Sequence, residues 1–205
     1  MNASSKEKEK KSTLPELKLT KKDRAAIRLF RYKKIRVLQK IAPHLIDESN
    51  GAILVVCSDG DQMDDIFKHH EKICLHHRKG HRPHMLSLNG GAKVIAEHSP
   101  LRIIAGQDRA QILIADIKMA RSMKNIETVI LYTHAPCGAA YAKGLSFCAI
   151  LDLLFAGKDR IKKEIPGVKV ACFCHVDYGN GKKKTYFVSR TAWLAWKIQN
   201  NATAQ

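Results

Sequence analysis

Apolar residues recur along this chain in two rhythms. Ile53-Leu54-Val55-Val56, Val129-Ile130-Leu131-Tyr132-Thr133 and the stretch from Val168 to His175 are near-continuous apolar runs, the pattern of strands buried on both faces of a parallel sheet. Between them, Ile112 to Met123 reads as a helix, and so does Phe147 to Phe155, whose helix ends between Asp159 and Pro166. Strands alternating with helices predict one α/β domain, a mainly parallel sheet flanked by helices. A loop from Gly80 to Pro83 precedes the second core strand, and Ile103 to Gly106 is a short connection or an added strand. Asn180-Gly181 marks a hairpin between Tyr178 and Lys184, with Tyr186-Phe187-Val188 as its returning strand. Upstream, Ile27, Phe30, Ile35, Leu38, Ile41 and Leu45 recur at roughly helical intervals and predict a single amphipathic helix from Lys21 to Leu45. The expected division is a tail over 1–20, a helical arm over 21–47 and the α/β domain over 48–205. Trp193 and Trp196 read as helix-packing anchors.

Charge adds a second feature. The formal net charge is +17, and residues 1–40 hold 14 Lys or Arg against 4 Asp or Glu. The first dozen residues, rich in Lys, Ser and Glu, have the composition of a disordered tail. A basic helix face is either solvated surface or a site of attraction for nucleic acid or another anionic surface. With 205 residues and 45% hydrophobic content the chain can bury one substantial core. No apolar stretch approaches the roughly 18 residues of a membrane span. The charged N-terminus lacks a signal-like apolar region, and six cysteines do not form the pattern of a disulfide framework, so a cytoplasmic location is expected.

Candidate chemistry lies at the strand ends. One run leads into Cys57-Ser58-Asp59, another into His134-Ala135-Pro136-Cys137-Gly138. Functional groups of open α/β sheets gather past the carboxyl ends of the strands, so neighbouring strands would bring Cys57, Asp59, His134 and Cys137 into one crevice. Two thiols, an imidazole and a carboxylate suit tetrahedral zinc. The bland alternative is that the cysteines are small buried hydrophobes. Cys74, Cys148, Cys172 and Cys174 are read as structural, the last two on opposite faces of their strand. His69, His70, His76, His77, His81 and His84 share a polar segment with several lysines and arginines and read as a solvated, titratable helix and loop.

The order C-x-D, then a Gly-containing segment, then H-x-x-C-G-A resembles the β-class carbonic anhydrases. Met85-Leu86-Ser87-Leu88-Asn89-Gly90-Gly91-Ala92 is similar to that family's strand ending in an R-N-A-G-N turn, and the match runs over roughly residues 50–190. The resemblance implies zinc held by Cys57, His134 and Cys137, with Asp59 orienting the hydroxide that attacks carbon dioxide to give bicarbonate. Asn89, Gly90, Gly91, Gly138 and Ala139 would border the substrate pocket, and a homodimer or higher homo-oligomer is expected.

Two positions depart from the family pattern. Asp61 stands where an arginine would hold the aspartate off the metal, and Leu88 replaces the arginine of the turn. Asp59 is then expected to coordinate zinc as a resting fourth ligand unless another cation draws it away, with Arg109, Arg78 and Arg82 as candidates. Three readings follow: a carbon dioxide-hydrating zinc lyase; a silent relative whose zinc is closed off by two cysteines, a histidine and an aspartate, with a basic arm for an anionic partner; and a zinc hydrolase of a carbon-sulfur analogue.

Overall fold

A computed structural model describes residues 17–43, 45, 46, 48, 50–74 and 83–202. Its core is a six-stranded sheet built from β1 (Leu38–Gln39), β2 (Ala52–Cys57), β3 (His84–Leu88), β6 (Thr128–Ala135), β7 (Lys169–Asp177) and β8 (Lys183–Val188) in the spatial order β1-β8-β7-β6-β2-β3. The four strands β3, β2, β6 and β7 run parallel, and β8 and β1 close one edge antiparallel. Every residue of β2 and β6 is buried, as their unbroken apolar runs require. A separate small hairpin pairs β4 (Ile103–Ile104) with β5 (Gln107–Asp108).

The two faces of the sheet are covered differently. One carries α1 (Lys21–Phe30), α3 (Arg109–Lys124), α5 (Phe147–Glu164) and α6 (Arg190–Ala202), packed against Ile53, Val55, Val129, Leu131 and Val176. The other is covered by α2 (Gly60–Ile73), whose Ile66 and Ile73 meet Leu54, Val56, Tyr132 and Phe173. Each α/β connection is capped by the residue the sequence supplies for it: Asp59 for α2, Asp108 for α3 and Ser146 for α5 accept backbone N–H groups of their first turns. No helix among the described residues is long and apolar enough to cross a membrane.

Three expectations require correction. The helix predicted from Lys21 to Leu45 ends at Phe30; Thr20 caps its start, and after a turn with Arg36 at φ 48° the chain becomes the edge strand β1. Val37 and Leu38 are buried by pairing with β8, so the apolar spacing continues while the conformation changes. Cys172 and Cys174 point to the same face of β7, as a separation of two residues dictates, and both sit in the larger core cluster. His69 and His70 are not solvated: His70 is buried against the Cys74 sulfur at 3.2 Å, and His69 stacks edge-on against Tyr132 and Phe173. His76, His77 and His81 lie outside the described residues, as do Arg78, Arg82 and most of the loop from Gly80 to Pro83.

Candidate metal centre

The carboxyl ends of β2 and β6 are adjacent, because Ala52 to Val55 pair in parallel with Thr128 to Leu131. That register carries Cys57 and His134 to the same end of the sheet. After His134 the chain turns through Pro136 into the short helix α4 (Gly138–Tyr141), and Cys137 is its N-cap. The donor atoms of Cys57, His134 and Cys137 all lie within 4.8 Å of one another, and all three residues are buried.

Gly90 and Gly91 shape this corner from the other side. Gly90 N–H donates to the Cys57 sulfur at 3.2 Å. Gly91, at φ +53°, lies so close to β2 that a Cβ there would come within 2.5 Å of the Cys57 backbone nitrogen, which explains why the position needs glycine. The chain then forms a 3-10 turn, Gly91–Val94, that buries Lys93 completely. The Lys93 ammonium donates to Thr133 Oγ1 at 3.1 Å, one residue before His134.

Electrostatics make the two sulfurs unequal. The Cys57 thiol donates to the Cys137 sulfur, and this hydrogen bond, against the opposing effect of burial and with help from His134 and Lys93, pulls Cys137 far below the ordinary thiol range. Cys57 is pushed up by the same hydrogen bond and by burial. The hydrogen bond thus favours the thiolate at Cys137, the form that binds metal. Both ring nitrogens of His134 are buried and lack a hydrogen-bond partner. Buried polar atoms are nearly always satisfied, so an imidazole with no hydrogen bond beside two sulfurs suits a metal ligand. Two sulfurs and one imidazole fit zinc with a position to spare.

Asp59 stands beside this cluster. Its Oδ1 accepts the backbone N–H of Asp61 at 3.1 Å as the cap of α2, while Oδ2 lies 3.8 Å from His134 Nδ1. Arg109, a candidate to replace the missing arginine, instead donates to the carbonyls of Leu101 and Asn89, bracing the Asn89 turn. A mostly apolar hollow of about 360 Å³ opens against Cys137, lined by Ala135, Ala140, Leu145, Phe147 and Ile150 and walled by the segment 17–23. Asn89, Gly90, Gly91, Gly138 and Ala139 do not line it: the glycines of the turn press on Cys57, Gly138 opens α4, and Ala139 packs beside Cys57, Cys137 and Ile150.

Sequence reasoning missed Lys93 and Thr133. A lysine in sequence reads as surface, and only the packing of the 3-10 turn against β2 and β6 reveals that this one is interior. The apolar run from Phe147 was legible, and its side chains form part of the hollow.

A scan against protein-family models and a search of curated proteins found no match. Among solved structures, the chain is similar to a carbonic anhydrase from Streptococcus mutans, with 12% identity and a TM-score of 0.39 over 83% of this chain and 99% of that one. It is also similar to a β-carbonic anhydrase of Trichomonas vaginalis, with 12% identity and a TM-score of 0.40 over 80% and 95%. A third similar structure belongs to one of two tetrameric β-carbonic anhydrases of Sordaria macrospora, with 11% identity and a TM-score of 0.36 over 79% and 88%.

Proposed function

We propose that this chain is a zinc-dependent, carbonic anhydrase-like lyase that interconverts carbon dioxide and bicarbonate. The observation that carries this reading is His134, buried with neither ring nitrogen hydrogen-bonded and with a donor atom within 4.8 Å of the Cys57 and Cys137 sulfurs. Cys57, His134 and Cys137 would hold the metal. Zinc supplies Lewis acidity, bringing the pKa of a coordinated water to about 7. Two cysteinates offset its charge, so a further anion at the centre needs a nearby cation. Lys93 is that cation: it is buried, its one described partner is a neutral hydroxyl, and its field acts on both sulfurs.

Asp59 has the placement of an orienting group. The Asp61 N–H fixes one carboxylate oxygen, and the other faces the cluster to accept a hydrogen bond from the attacking water. The backbone donor at position 61 thereby takes over part of the work that an arginine side chain would do. The mostly apolar hollow beside Cys137 suits a small uncharged substrate. The absence of a disulfide among the six cysteines agrees with a reducing, cytoplasmic setting. A homodimer or higher homo-oligomer fits the exposed Tyr141 next to the site and Ile103 and Ile104 on the hairpin.

Stopped-flow carbon dioxide hydration between pH 7 and 9, on protein of verified zinc content, tests the proposal. Hydration above the buffer rate that vanishes in Cys137→Ser is the expected result. A silent protein with one zinc per chain would overturn it in favour of a closed site in which Asp59 completes the coordination.

A further inference from the structure

A second feature lies far from the sulfurs, on the antiparallel edge of the sheet. Two hollows, of about 320 and 330 Å³, flank Lys40, the first on the α1 face of the sheet with Leu38 and Tyr186 and the second on the α2 face with Ile41 and Ile73. Arg31, Lys33 and Arg36 line the first and Lys72 and Lys184 the second, so together with Lys40 six cations surround this edge of the sheet. Among the described residues no carboxylate pairs with any of them. Lys183, one residue before Lys184 and on the other face of β8, shows the contrast, since it is held by Asp65 and Asp177.

The arrangement is repulsive as it stands. Lys184 is half-buried against Lys40 and Arg31, and burial followed by these two cations holds its amine below the usual lysine range. Like charges gathered without acids leave a shape that an anion completes. A single phosphate would occupy one hollow; cations on both sides of the edge, sharing Lys40, fit a repeating anion that crosses it. Of the rings lining the hollows, Tyr186 is buried with Arg31 and Lys184 over it at 5.4 and 5.9 Å from its centroid, and His69 is engaged edge-on with Tyr132 and Phe173, so recognition rests on charge and not on stacked bases. Cations wrapped around an edge fit a strand better than a flat lipid surface.

We propose that the basic edge formed by β1 and β8 binds the phosphodiester backbone of a nucleic-acid strand, without reading its sequence. The site is independent of the zinc chemistry, and its residues are separate from the metal cluster.

Fluorescence anisotropy of the full chain with a labelled single-stranded RNA of about 20 nucleotides tests it across a salt series. About four to six neutralised phosphates give an expected slope of log K against log salt near −3 to −4. Lys40→Glu with Arg36→Glu should weaken binding at least tenfold and flatten the slope. Lys40→Glu alone places a carboxylate beside Lys184, so the folded protein should melt no lower than the parent while binding worse, which separates binding from folding. Lys162→Glu with Lys163→Glu, on the exposed end of α5, should leave affinity within about twofold. Equal losses in both pairs, or unchanged binding in the edge pair, would overturn the proposal. So would competition by micromolar inorganic phosphate, which would mark a single-anion site, or binding to phosphatidylserine vesicles without RNA binding, which would mark a membrane surface.

Discussion

At the scale of single residues, two groups are withdrawn from water to a degree unusual for their type, one of them at the site. Lys93 is fully buried, and charged groups in that position are costly unless paired. Replacing it by methionine, of similar length, removes the charge and keeps the volume. Lys93→Met should therefore stabilise the zinc-free protein by about 1–3 kcal/mol in urea unfolding while weakening zinc at least tenfold in a chelator competition. A loss of both would show that the lysine serves packing alone. His69 is the second group. Burial, reinforced by His175 and His70, pushes it down to about 4, and burial likewise pushes His175 down to about 4. Both are depressed below the unfolded value of 6.5, so the unfolded chain takes up these protons first as pH falls. Their cost to stability begins below about pH 6.5 and is complete near pH 4. Stability in urea unfolding should be flat from pH 8 to 7 and fall by pH 5, by about 2 kcal/mol for each of the two histidines, with a smaller fall in His69→Gln.

At the scale of elements, the two motif turns were legible because strand-end chemistry follows from continuous apolar runs. Cys57 and His134 emerge side by side for the reason their sequences suggested: β2 and β6 are parallel neighbours. The extent of the first helix was not legible. Ile35 and Leu38 keep a helix-like spacing, and nothing local reveals that β8 is waiting to pair with Leu38 and Gln39. The second use of Asp59 was equally hidden, since nothing local reveals that one carboxylate oxygen caps α2 while the other faces His134. Gly91 is where one element constrains another most tightly. Gly91→Ala combines a left-handed backbone with a contact to the β2 backbone that no rotamer relieves. It should cost about 2–4 kcal/mol in chemical denaturation, and its zinc affinity should fall because the displaced turn carries both Gly90 N–H and Lys93 away from the sulfurs. Stability within about 0.5 kcal/mol of the parent would mean the turn relaxes freely.

At the scale of the whole molecule, the ends of the described chain are joined by an aromatic cluster. Phe30 of α1 meets Phe147 of α5 and both Trp193 and Trp196 of α6, with centroids 4.8 to 6.2 Å apart. The sequence indicated the tryptophans as anchors without indicating their partners, because partners so distant in sequence cannot be inferred from spacing. Trp193→Ala should destabilise the fold by about 3–5 kcal/mol and release α1. Since Asp23 of α1 also accepts the Phe147 N–H, and the segment 17–23 walls the hollow beside Cys137, the same variant should raise the KM for hydration more than it lowers kcat. Unchanged protection of α1 amides in hydrogen exchange would show that this helix is held by other contacts.

The two cysteines of the candidate metal centre have a topological consequence. Cys57 and Cys137 stand about 80 residues apart in the chain, and β3, α3 and β6 lie between them. An ion gripping both sulfurs closes a loop of that length, and a covalent link across such a span would remove several kcal/mol of freedom from the unfolded chain. A reversible clasp does the same for as long as it stays shut. Metal supply would then govern how long each copy of the protein survives before it opens, independently of any turnover at the site.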